Sequence, residues 1–154
     1  MRILKSLLVT LSLLWSLGTL AHADQVSNFT KDGVAIAGAD PVAYFTMNKS
    51  VIGSADFTTD WNGVTWRFAS AENRDAFKAE PMKYAPQYGG FCATGTAFSK
   101  KVPIDPTQFK VVEGKLYLNS GAGAQSMFLK DTPGIIMKAT GNWGKIENTP
   151  ADKL

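Results

Sequence analysis

Cys92 is the one thiol in a chain of 154 residues, and it ends the run Gln87-Tyr88-Gly89-Gly90-Phe91-Cys92. Paired glycines let the backbone turn tightly. A helix opening near Phe91 would put the thiol in its first turn, where free amides and the helix dipole favour a thiolate. In an oxidising compartment such a thiol can become a sulfenic acid, a mixed disulfide or an intermolecular disulfide. Flanked by Phe91 and Ala93, the same cysteine also fits a small buried hydrophobe. Both readings stay open on sequence alone. With no second cysteine to resolve an oxidised sulfur, a self-contained dithiol cycle is ruled out. The candidate redox or ligand site is therefore Cys92, Gly89, Gly90, Tyr88 and Tyr84, with no catalytic residue and no metal ligand assigned.

Histidine chemistry is removed by the first stretch of the chain. Arg2 and Lys5 precede a leucine-rich block, Ser6 to Leu20, and Ala21-His22-Ala23 supplies small residues at the two positions a signal peptidase reads. The block is shorter than the roughly 20 apolar residues that span a bilayer. Residues 1–23 are thus expected to be a signal peptide cleaved after Ala23, leaving a periplasmic or secreted protein with no membrane span. His22 leaves with the signal, so no Ser-His-Asp triad, Cys-His dyad or imidazole metal site can form within the rest. Loss of Arg2 and Lys5 lowers the formal charge from +3 to +1, too near neutrality for a phosphate-binding surface, and no nucleic-acid partner is expected. Lys100-Lys101, the one adjacent basic pair, is expected in a solvated loop.

Other side chains offer weaker chemistry. Asp56 and Asp60 lie close together, and Asp40, Asp105 and Asp131 each stand one or two residues before proline. Carboxylates can hold a hard cation or move protons, but Asp before Pro is also what turns and helix caps require. Thioethers suit Cu(I), yet Met47, Met82, Met127 and Met137 lack tight spacing and are expected to pack in the core. No cofactor is expected, while a metal held by carboxylates or methionines stays open.

The elements that must position these residues are short. Asp40-Pro41 starts a turn of helix running through Tyr44. Phe57 to Trp61 and Val64 to Phe68 alternate in period two around Asn62-Gly63, a type I′ hairpin pair. Ser70 caps a helix over Ala71 to Ala79, which Pro81 ends. A second hairpin joins 109–112 to 115–118 through Glu113-Gly114. Helices are expected over 125–130 and from Pro133 to about Lys138, with a frayed tail from Asn148. The sum is a small α+β domain of short antiparallel hairpins alternating with short helices, residues 24–154 forming one unit with its core at about 34–146.

Several strings resemble the exported YHS-domain proteins of Gram-negative bacteria. They include Asp40-Pro41-Val42-Ala43-Tyr44-Phe45, Trp66-Arg67-Phe68-Ala69-Ser70-Ala71, and Lys83-Tyr84-Ala85-Pro86-Gln87-Tyr88-Gly89-Gly90-Phe91-Cys92-Ala93. The resemblance spans about Val34 to Trp143 and implies a YHS-like α+β fold. Related modules in metal-transporting ATPases and multicomponent oxygenases imply metal binding. The metal-type modules, however, carry cysteines where this chain has Ala43, Ala69 and Asn73 or Arg74. The expected function is a non-catalytic accessory domain whose small ligand or periplasmic protein partner meets the Tyr84 to Ala93 segment. Two alternatives are a thiol-dependent redox protein using Cys92 with an external partner, and a metal-binding YHS module.

Overall fold

Three residue pairs ending in glycine fold the chain back on itself in the computed structural model, which describes residues 27–154. Asp32-Gly33, Asn62-Gly63 and Glu113-Gly114 have φ of 53° and 77°, 52° and 76°, and 50° and 72°. Positive φ at both central residues gives the twist that adjoining antiparallel strands need. The first pair joins β1 (Thr30–Lys31) to β2 (Val34–Ala35), the second β3 (Ser54–Trp61) to β4 (Val64–Phe68), and the third β5 (Asp105–Val112) to β6 (Lys115–Asn119). A parallel pairing of Val34 with Thr65 merges the first two hairpins into a sheet of order β1-β2-β4-β3, while β5 and β6 form a separate ribbon. The expected signal peptide, residues 1–23, lies outside the described residues.

Helices cover these sheets: α1 (Ala43–Thr46), α2 (Ala71–Ala79), α3 (Pro81–Tyr84), α4 (Ala93–Ala97), α5 (Ala122–Lys130) and α6 (Thr132–Ile146). The chain is a small α+β protein. No helix among the described residues is long and apolar enough to cross a membrane. Ser70 caps α2 by accepting the Asn73 N–H at 3.1 Å, as its position predicts. Asp131 caps α6 through the Gly134 N–H at 3.0 Å, and Asp105 accepts from the Thr107 N–H at 2.9 Å. These Asp residues near proline thus serve turns and caps.

Strand β6 divides the interior in two. Its period-two alternation sends Leu116 and Leu118 into a core with Trp66, Phe68, Phe77 and Tyr44, and Tyr117 into a second core with Tyr88, Phe128 and Ala139. The aromatic residues are therefore divided between two cores.

Some expectations fail. Met47, Met82, Met127 and Met137 are 47% to 78% exposed rather than packed in the core. Lys101 is buried, not solvated. Its ammonium donates to the carbonyls of Glu147 and Thr149 at 2.7 Å each and lies 5.4 Å from the ring centres of both Phe91 and Trp143. Cations are favoured at helix C-termini and over aromatic faces; burial nonetheless holds the ammonium below the usual lysine range, against the opposing pull of Glu147. This clamp ties Lys101 to the chain at Glu147 and Thr149, and the last residues form a short 3-10 turn over Ala151–Lys153. Helix α6 continues past Lys138 to Ile146, because Ile135, Ala139 and Ile146 keep one buried stripe that outweighs the cost of Gly141 and Gly144.

Candidate functional site

The segment that follows α3 is strained. Gln87–Gly90 form a 3-10 turn in which Tyr88 and Gly89 take φ of 56° and 60°, and Gly90 takes 82°. A bulky residue with positive φ is an outlier that the surrounding structure must hold in place. It is held from two sides. The Phe29 N–H donates to the Gly89 carbonyl at 2.8 Å, and the Tyr88 hydroxyl lies 3.0 Å from Thr140 Oγ1 and 3.3 Å from the Ile136 carbonyl of α6. Both glycines are required: a Cβ on Gly89 would run into the Ser27 carbonyl, and one on Gly90 would stand 2.6 Å from Ile36 Cγ2. Ile36 itself has φ of 43°, so two strained stretches brace each other.

Behind this turn lies Cys92, 1% exposed. It is the N-cap of α4, and its sulfur accepts the Gly95 N–H at 3.3 Å. The same sulfur lies 3.6 Å from Asn119 Oδ1 and 3.5 Å from Ser120 Oγ, both suitable acceptors for the S–H proton. Asn119 is fully buried. Its Oδ1 accepts from the Thr94 N–H at 3.2 Å and lies 2.8 Å from the Thr94 hydroxyl, and its amide donates to Gln125 Oε1 at 2.8 Å. Gln125 in turn donates to the Phe109 carbonyl at 2.8 Å. The one Thr94 hydroxyl proton serves either Asn119 or the Ala124 carbonyl, 3.0 Å away; when it takes the latter, Cys92 S–H is free to donate to Asn119. The helix begins one residue after Cys92 rather than at Phe91, so the thiol serves as the cap itself, sealed beneath the turn. The network ties β6 to α4 and α5 around the buried sulfur.

In front of the turn the surface opens into a cleft of about 330 Å³, bounded by Tyr88 and Gly89, by Lys115 and Tyr117 of β6, and by Ile136, Thr140 and Trp143 of α6. A smaller cleft of about 110 Å³, reaching Asn28, Asn62 and Trp66, adjoins it across Met82, Pro86, Gln87 and Gly89. Of the residues singled out from sequence, Tyr88 and Gly89 face the larger cleft while Gly90 and Cys92 lie behind it. Tyr84 belongs elsewhere: it packs edge-on against Phe45 at 5.5 Å, in the first core. Tyr117, Lys115 and Trp143 complete the cleft and were not assigned to it from sequence. The alternation of Leu116, Tyr117 and Leu118 is the signal that puts Tyr117 on the opposite face of β6 from its neighbours.

The positions set against the ligand cysteines of metal-type modules meet at one point. Asp40, fully buried, accepts at Oδ1 from Val42 N–H at 2.8 Å and Ala43 N–H at 3.3 Å, and at Oδ2 from Ala69 N–H at 2.8 Å and Asn73 Nδ2 at 2.7 Å. Ala43, Ala69 and Asn73 thus aim N–H donors inward at a carboxylate whose lone pairs are engaged. A soft metal needs thiolate or imidazole lone pairs there, and these residues do not fit one. Among the described residues no group of three or more His, Cys, Asp or Glu side chains is placed to hold an ion.

Comparison with protein-family models, with curated proteins and with solved structures finds no match.

Proposed function

We propose that this chain is an exported, periplasmic YHS-like domain that binds a small ligand and does no chemistry of its own. The observation that carries the reading is the placement of the strained turn: its outer side, Tyr88 and Gly89, walls the cleft, while its lone thiol is buried as a helix cap on the inner side. Strain at a backbone position points to a geometry kept for a purpose. Here it holds a cleft with aromatic walls and a few convergent polar groups, the general form of a small-molecule site. The volume lies at the lower end of the roughly 300–1,000 Å³ typical of such sites.

The test is a titration of the 15N-labelled protein with 2-naphthol, a neutral aromatic probe, followed by amide and indole N–H shifts. Shifts concentrated on residues 87–90, Tyr117 and the Trp143 indole are expected. Shifts confined to another surface, or none at millimolar probe, would overturn the reading.

A further inference from the structure

The larger cleft carries charge of one sign, the Lys115 ammonium, beside the neutral polar groups of Gln87, Tyr88, Tyr117 and Thr140. Tyr117 is only 4% exposed, yet its hydroxyl makes no hydrogen bond to any described residue. Every side-chain polar atom buried from solvent among the described residues has a partner, so this hydroxyl opens on the cleft that Tyr117 lines. A phenol so placed offers a ligand a directed donor. Burial pushes it above the ordinary tyrosine range, with Tyr88 and Glu113 adding to the effect, and it stays protonated at neutral pH. Lys115 brings the cleft's positive charge, and none of the lining residues is acidic. Glu113, the carboxylate that acts on the phenol, sits exposed in the β5–β6 turn, where water and salt screen it. Trp143, Ile136 and Met82 form apolar wall, and the Thr140 hydroxyl is already paired with the Tyr88 hydroxyl at 3.0 Å.

We infer that this cleft takes a small carboxylate with a flat apolar body, the carboxylate held by the Tyr117 hydroxyl and the Lys115 ammonium and the body lying against Trp143 and Ile136. The inference rests on the binding reading above and adds the ligand's charge and shape. A phenol or ammonium donor to a carboxylate is worth more than one to a neutral acceptor, and a flat body suits an indole face.

Three probes of one shape decide it: 2-naphthoate, 2-naphthamide and 2-naphthylmethylamine, titrated against the 15N-labelled protein and its Tyr117→Phe and Lys115→Gln variants. The carboxylate is expected to bind about tenfold tighter than the amide, the size of one charge-assisted hydrogen bond, and the amine weakest of all. Tyr117→Phe, which keeps the ring and the fold, should weaken naphthoate about fivefold or more and naphthamide less. Lys115→Gln should cost naphthoate a further two- to threefold, roughly, and remove the salt dependence of its binding. Equal affinity for carboxylate and amide, or an unchanged naphthoate affinity in Tyr117→Phe, overturns the inference and leaves the binding reading standing. Failure of all three probes to shift any cleft resonance overturns both.

Discussion

Cys92 Sγ lies 3.6 Å from Asn119 Oδ1, and both side chains are closed off from solvent. The thiol is thereby one member of a polar network that joins β6 to α4 and α5. Removing members of that network should cost stability in a definite order. Asn119→Ala strands the Thr94 N–H and the Gln125 Oε1 acceptor and should cost roughly 2–4 kcal/mol. Cys92→Ala loses the α4 cap, about 1 kcal/mol, together with a buried sulfur. Cys92→Ser keeps a cap of a favoured type and should cost least. Urea midpoints of the three variants check the order, and a Cys92→Ser variant as damaged as Asn119→Ala would contradict it.

Asp40 should be the most sensitive carboxylate in the protein. Its two oxygens receive four N–H donors from α1, from the end of β4 and from α2. Asp40→Asn turns an amide NH₂ toward two of those donors and should destabilise by roughly 3 kcal/mol or more. Asp60→Asn, on the exposed hairpin where the carboxylate accepts from Thr65 Oγ1 at 2.6 Å, should change stability by less than about 1 kcal/mol. Denaturant unfolding of both variants at neutral pH makes the comparison.

Alkali should unfold the protein partly through Tyr44. Burial pushes this phenol up to about 12, Asp105 and Asp40 add to the rise, and a hydrogen bond with Ser50 opposes it. The native state favours the neutral phenol, whereas an unfolded tyrosine ionises near pH 10, roughly. The contribution is therefore fully present below about pH 10 and lost as pH rises toward 12, amounting to roughly 2–3 kcal/mol over that window. Tyr88 and Tyr117, also raised by burial, act with the same sign. Tyr44→Phe loses the bond to the Pro106 carbonyl, 2.8 Å long, and should be less stable at pH 8. Its stability should then fall less steeply above pH 10 than that of the parent protein. Parallel slopes for the two proteins would contradict the assignment.

Two glycines with positive φ should respond differently to alanine. Gly114 has φ of 72° with nothing within 4 Å of an added Cβ, so Gly114→Ala should cost about 1–2 kcal/mol from backbone strain alone. Gly89, at 60°, adds a collision with the backbone carbonyl of Ser27. Gly89→Ala should cost at least about 2 kcal/mol more and, in protein that remains folded, shift the amide resonances of Tyr88 and the Trp143 indole. Equal costs at the two positions would contradict the close approach of residues 27–29 to the turn.

Local chemistry was legible where it acts alone. Asn62-Gly63, Glu113-Gly114, the Ser70 cap and the proline that ends α2 each do what their residue types dictate, because turns and caps are decided within four or five residues. What tertiary packing decides was not legible. Lys101 looks like a loop lysine until Phe91, Trp143 and the end of α6 surround it. Gly141 and Gly144 argue against the long α6, and only its buried stripe explains it. The methionines show the same failure in reverse, since an apolar side chain does not by itself say which way it faces. In the candidate site, Tyr88 and Gly89 stood out through the Gly-Gly signal, while Tyr117 and Lys115 enter from a strand 27 or so residues later. Such a juxtaposition exists only once β6 has found its place between two cores.

The reactivity of Cys92 tests the central claim most directly. If the thiol is a sealed helix cap in a binding domain, a chromogenic disulfide reagent should label the native protein at least about a hundredfold more slowly than the urea-unfolded chain, since access requires opening a structure stable by several kcal/mol. The slow rate should rise only as denaturant does. Labelling of the native thiol within about a hundredfold of the unfolded rate, with a pH midpoint well below the ordinary thiol value of about 8.5, would contradict it and restore Cys92 as a redox centre.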